Sequence, residues 1–143
     1  MNWKTTLLAG VTSLALTSQA YADTTLKLVE VITSPERTET LKGLVAEYEA
    51  AHPGVNVEIT SLPWGQAFEK FATMVSAGQT PDLVEMPDTW LTLYANNHML
   101  ESLEPYLKDW DGAKTLNDRA IEFARSADDT AYMMPYGFYL RAM

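Results

Sequence analysis

Between Leu26 and Asn97 the apolar residues switch repeatedly between the period of a strand and that of a helix. That alternation restricts the fold more than any other feature of the chain. Leu26 to Ile32 is a short β-rich run ending at Thr33-Ser34-Pro35, where a hydroxyl residue before proline marks a helix N-cap and first helical residue. In the helix that follows, Leu41, Leu44, Val45 and Tyr48 share one face, and Ala51-His52-Pro53-Gly54 ends it. Val55 to Thr60 alternates Val55, Val57 and Ile59 with Asn56, Glu58 and Thr60, the period of a strand with one face more buried.

Phe68, Phe71, Ala72 and Val75 then repeat the helical spacing, and Gly78 stands where a left-handed residue closes a helix. A third strand is expected over Asp82 to Met86. A third helix follows it, carrying Leu91, Tyr94 and Ala95, with Asp88 or Thr89 as cap and Asn96-Asn97 as its end. His98 to Gly112 reads as irregular, Thr115 to Arg125 as a fourth helix, and Thr130 to Met134 as a strand continued by an extended Tyr136 to Met143. Strand, helix, strand, helix, strand, helix gives an α/β fold with an open, mainly parallel sheet flanked by helices. Such a sheet carries its ligand crevice at the carboxyl ends of its strands. Three loops meet that condition, at 33–37, 62–66 and 86–90. They hold Thr33, Ser34, Glu36, Arg37, Trp64, Gln66, Asp88, Thr89 and Trp90, side chains able to orient a ligand.

Charge and composition exclude several functions. A net charge of -9 repels phosphate backbones and anionic membranes, so neither nucleic-acid binding nor membrane attachment has an electrostatic basis. With no cysteine there is no disulfide framework, thiolate zinc site, thiol nucleophile or lipidated N-terminal cysteine. Nucleotide and serine-hydrolase strings are absent, and no cofactor is implied. His52 and His98 read as a helix-end and a loop residue, and Asp109-x-Asp111-Gly112 as a turn, because the rest of a calcium loop is missing. At the N-terminus, Lys4, the apolar stretch Leu7 to Leu16 and Ala20-Tyr21-Ala22 form a Sec-type leader with cleavage expected after Ala22. Its apolar run of about ten residues is too short to span a bilayer, so residues 23–143 are expected as a periplasmic chain without membrane insertion.

Ala77-Gly78-Gln79-Thr80-Pro81-Asp82-Leu83-Val84, followed by Leu93 to Leu103, resembles a pattern of the bacterial extracellular solute-binding protein family 1. These are the sugar receptors of ABC importers, the family that includes maltose-binding protein. There a helix ends in a small residue and glycine, Pro-Asp enters a strand, and a helix leads to a G-x-L-x-x-L string whose glycine is His98 here. Tyr132-Met133-Met134-Pro135-Tyr136 resembles the family's Y-x-x-P-y segment, and Leu140 to Met143 the approach to an aromatic-Tyr-Asn run. The resemblance spans nearly all of Leu26 to Met143.

That resemblance implies a periplasmic-binding-protein-like lobe of type II, of which residues 23–143 would be the N-terminal, incomplete part. It implies hinged closure on a carbohydrate or related polar solute, which is then delivered to the transmembrane subunits of an ABC permease. Carried over by position, the ligand contacts would be Thr33, Glu36, Arg37, Trp64, Asp88, Trp90, Tyr136, Tyr139 and Arg141. A sugar's apolar C–H faces and hydroxyl edges suit flat aromatics beside charged hydrogen-bonding groups. The main alternative is an exported carbohydrate-active enzyme using crevice carboxylates such as Asp82 and Asp88. A protein-interaction module is a third reading.

Overall fold

The computed structural model describes residues 23–137, so the leader at 1–22 and the candidate residues Tyr139 and Arg141 lie outside the described residues. Three parallel strands, β1 (Thr24–Glu30), β2 (Val55–Ser61) and β3 (Leu83–Val84), form a sheet in the order β2-β1-β3. Leu26 aligns with Val57 on one side of β1, and Leu28 with Leu83 on the other. Helix α1 (Pro35–Ala51) joins β1 to β2, and α2 (Trp64–Ser76) joins β2 to β3. The two crossings run in opposite directions across the sheet, so right-handed connections place the helices on opposite faces. Alternation along β1 agrees: Glu30 bonds to Thr38 of α1 and Leu28 lines a depression with Leu41 and Leu44 of that helix, whereas Val29 and Val31 enter the core with Ala67 and Phe71 of α2.

The core lies on the α2 side. It comprises Val29, Val31, Leu62, Ala67, Phe71, Met86 and Tyr94, the last from α3 (Asp88–Asn96), with Trp90, Leu100 and Met133 packed against it. The Tyr94 hydroxyl is buried there without a hydrogen-bond partner among the described residues, and burial pushes its phenol up from the usual range. Helix α1 has no buried residue, and Leu44 on its apolar stripe is 59% exposed. Periodicity located the helix and its apolar face; among the described residues that face is covered only in part, with Leu41 and Val45 half-buried and Leu44 and Tyr48 exposed.

Local chemistry explains the helix ends. The Ser34 Oγ accepts from the Arg37 N–H at 3.3 Å, capping α1 one residue before Pro35. Gly78 (φ 71°) follows α2, and His98 (φ 54°) takes the left-handed conformation after α3 where the resembling pattern has glycine. Asp88 and Thr89 do not cap α3. Its cap is Pro87, and Asp88 is its first residue, accepting from the Thr89 N–H at 2.9 Å.

Four other expectations need correction. The third strand is shorter than Asp82 to Met86, because only Leu83 and Val84 pair with β1. The stretch expected to be irregular holds α4 (Glu104–Lys108), whose Pro105 sits in the first turn, where proline is tolerated; a turn at Asp111–Thr115 follows. The fourth helix is α5 (Asp118–Phe123), starting where Asn117 Oδ1 accepts from the Arg119 and Ala120 N–H groups.

Residues 130–134 form no strand. Ala131 makes one bridge to Arg125, while its N–H donates to Glu104 Oε1 at 3.0 Å and its carbonyl accepts from the Leu103 N–H at 2.8 Å. The Ala131 amide and the Arg125 guanidinium hold the Glu104 carboxyl below its usual range. The start of α4 thus supplies the partners a neighbouring strand would have supplied. No helix of the described residues is long and apolar enough to cross a membrane.

Candidate crevice at the strand ends

All three strands run the same way, so the loops after Glu30, Ser61 and Val84 emerge at one end of the sheet. The chain leaves β1 toward one side and reaches β3 on the other, which makes the β1/β3 junction the point where the connections diverge. A crevice of about 1080 Å³ opens there and runs along the free edge of β3. Ile32, Trp64, Glu85, Asp88, Met133 and Tyr136 are among its walls.

Its aromatic side is an ordered pile. Phe71 and Trp90 lie nearly parallel (14°) with centroids 6.4 Å apart, and Trp90 and Trp64 repeat the arrangement at 6.4 Å and 6°. Phe68 meets Trp90 edge-on at 5.1 Å, and Tyr94 meets Phe71 at 5.2 Å. The inner rings belong to or pack on the core, while Trp64, 48% exposed, is the outer ring and lines the crevice. Offset parallel and edge-on contacts of this kind lock ring orientations. The exposed indole face is therefore held in place by those behind it.

The polar side is organised by Glu85, whose side chain is 8% exposed. Its Oε2 accepts from the Val31 and Ile32 N–H groups at 3.1 Å each, at the end of β1. Its Oε1 pairs with the Arg37 guanidinium at 2.7 Å and accepts from the Tyr136 hydroxyl. Arg37 also donates to the Ile32 carbonyl at 2.9 Å and to the Tyr136 hydroxyl at 2.6 Å, and its guanidinium lies 5.5 Å from the Tyr136 ring centre. One buried carboxylate thus joins the loop after β1, the first turn of α1 and the segment at Tyr136. Charge-assisted bonds and a buried setting make the junction firm.

The structure brings together only some of the expected site residues. Trp64, Asp88 and Tyr136 line the crevice. Glu36 and Arg37 line an adjoining depression of about 520 Å³, with Glu85 and Tyr136 common to both. Thr33 is exposed and lines neither, and Trp90 is packed behind Trp64. Asp82 lies before β3, at the amino end of that strand, and its Oδ2 accepts from the Lys27 N–H at 2.8 Å. Asp82 therefore supports the sheet at the amino end of β3, and both it and Asp88 line the crevice. Glu85 escaped the sequence reading. Its one signal is a charged residue within the apolar run Leu83-Val84-Glu85-Met86, since a carboxylate there must find partners when buried. Among the described residues no cluster of three or more metal-ligating side chains occurs.

The sequence profile described as bacterial extracellular solute-binding protein matches residues 34–141. A protein of Brucella abortus (strain 2308), named as a binding protein, is 31% identical over 147 residues, an alignment covering 99% of this chain and 34% of that protein. The chain thus spans about a third of the length of the curated relatives it matches. Among solved structures, the sugar-binding protein MalE of Xanthomonas citri superposes with a TM-score of 0.70 at 26% identity, covering 78% of this chain and 28% of that one. An ABC substrate-binding protein of Listeria monocytogenes, solved with cycloalternan, superposes with a TM-score of 0.67 at 23% identity, covering 76% and 28%. The second likeness bears on the fold alone.

Proposed function

We propose a function that starts from membership: this chain belongs to the bacterial extracellular solute-binding protein family. In this proposal the crevice at the ends of β1 and β3 is one wall of a carbohydrate site. Residues 23–143 form the N-terminal part of the first lobe of a periplasmic receptor, exported by the leader at 1–22. The receptor hands its solute unchanged to the transmembrane subunits of an ABC permease. Its similarity to a protein named sugar-binding supports the ligand class.

The observation that carries the proposal is the Trp64 indole, a half-exposed flat face fixed by Trp90 and opening on a crevice that also holds Asp88 and Tyr136. A pyranose presents C–H groups to such a face and hydroxyls to the surrounding acceptors. Asp88 and Tyr136 are proposed contacts on this wall and Arg37 a proposed contact from the adjoining depression, with Trp90 as the support of Trp64. Thr33, Glu36, Tyr139 and Arg141 stay in the proposal on family resemblance.

Tryptophan fluorescence during titration with neutral oligosaccharides tests it. Saturation should change the emission, and Trp64→Ala should weaken binding by about 1 kcal/mol or more, as removing an aromatic anchor commonly does. Unchanged affinity in a folded Trp64→Ala variant would remove the stacking role. Recovery of a cleaved sugar would replace the receptor reading with an enzymatic one.

A further inference from the structure

We propose that Glu104 is a positioning residue of the crevice, whose carboxylate sets where the wall at 131–137 stands and so how Tyr136 meets a sugar; this rests on the carbohydrate reading above. That wall is not part of the sheet. Ala131 makes one isolated bridge, to Arg125, and residues 132–137 pair with no strand among the described residues, so bonds made outside the sheet must hold them. At one end the Tyr136 hydroxyl donates to Glu85. At the other, Glu104 Oε1 accepts from the Ala131 N–H at 3.0 Å and from the Arg125 guanidinium at 2.6 Å, while the Leu103 N–H donates to the Ala131 carbonyl at 2.8 Å. Arg125 also donates to the Asp129 carbonyl, and the Ala124 carbonyl accepts from the Tyr132 and Met133 N–H groups at 3.2 and 3.4 Å. One carboxylate thus ties the start of α4 and the residues after α5 to the first residue of the wall. Ala131 is 1% exposed, so its N–H has no water to turn to if Glu104 is removed, and the segment must shift to find another acceptor. Pro135 fixes its own φ and restricts Met134 before it, which passes a shift at Ala131 on toward Tyr136. Glu104 does not line the crevice, whereas Tyr136 lines it and is exposed. Glu104 therefore acts on a ligand through the wall and not by contact.

A double-mutant cycle on the 143-residue chain tests this, with maltotriose as the probe and nuclear magnetic resonance titration as the readout of affinity in the folded molecules. Glu104→Ala should weaken binding by about threefold to tenfold, the scale of one net hydrogen bond lost between Tyr136 and the sugar. The Trp64 indole should still shift at saturation, because its support by Trp90 is untouched. In a Tyr136→Ala background, Glu104→Ala should cause no further loss of affinity. Glu104→Gln keeps an oxygen for the Ala131 N–H, so its effect should fall between wild type and Glu104→Ala. If Glu104→Ala does not fold, Glu104→Gln takes its place in the cycle with a smaller loss that again vanishes without the Tyr136 ring. A merely structural role would lower the urea midpoint in both backgrounds and leave the affinity of the folded molecules unchanged. If affinity ignores Glu104, or if the loss is the same with and without Tyr136, the positioning role is overturned and the carbohydrate reading stands. If maltotriose does not bind the wild type, the carbohydrate reading falls first and this role with it.

Discussion

Phe71→Ala should cost about 3–5 kcal/mol of folding stability, the usual effect of deleting a buried aromatic ring. Phe71 is 4% exposed at the centre of α2, and its ring contacts both Trp90 and Tyr94 of α3. Removing it takes apolar area out of the core and opens a void that Ala67, one helical turn earlier, is too small to fill. It also removes the ring on which Trp90 lies, so the outer indole of Trp64 loses its backing. Urea denaturation followed by far-ultraviolet circular dichroism measures the loss. A cost below about 1 kcal/mol, the level typical of surface changes, would show that α2 is not docked on the sheet as described.

Glu30→Ala is the second substitution with a large expected effect. Glu30 is the last residue of β1 and 1% exposed, yet no cation pairs with it among the described residues. Its carboxylate accepts from the Thr38 hydroxyl of α1 at 3.0 and 2.9 Å and from the Ser61 hydroxyl of β2 at 2.8 Å. Burying an acid is costly, so the wild type gains less from the group than the bonds alone suggest. Alanine nevertheless leaves two hydroxyls facing a void with no acceptor, and the expected cost is about 2–4 kcal/mol. Glu30→Gln retains one acceptor oxygen and the volume, so it should cost less than half as much. Equal losses in the two variants would show that the charge itself, and not the hydrogen bonds, joins α1 to the sheet.

The elements set by nearby residues were legible in the sequence. Ser34-Pro35 caps α1 through a bond spanning three residues, Gly78 closes α2 through its own φ, and the Val55/Val57/Ile59 alternation is visible within one strand. Periodicity also found the apolar stripe of α1. It could not show that Leu44 stays exposed, because periodicity says which face is apolar and not what covers it. The strand expected at Thr130 to Met134 failed for a related reason. A strand is defined by its partner, and Ala131 finds its partners at Leu103, Glu104 and Arg125.

The site divides the same way. The topological rule pointed to the three loops after the strands, and Trp64 and Asp88 stand in the crevice they form. Glu85 was invisible because its meaning lies in contacts with Arg37 and Tyr136, 48 and 51 residues away along the chain. Trp64 and Trp90 looked equivalent in sequence. Packing separates them, since Trp90 is half-buried among Trp64, Phe68, Phe71 and Tyr94 while Trp64 is exposed and, among the described residues, makes only the one ring contact, with Trp90.

Amide and indole nuclear magnetic resonance of the chain during addition of maltotriose tests the central claim most directly, that the crevice at the ends of β1 and β3 is a carbohydrate-binding wall. This wall by itself should bind weakly, in about the millimolar range typical of a small contact that excludes little water. The predicted result is a saturable shift of the Trp64 indole resonance, with further shifts confined to residues 85–89 and 132–137. A saturable response centred instead on the exposed stripe of α1, or no response from Trp64 in a folded chain, would contradict it.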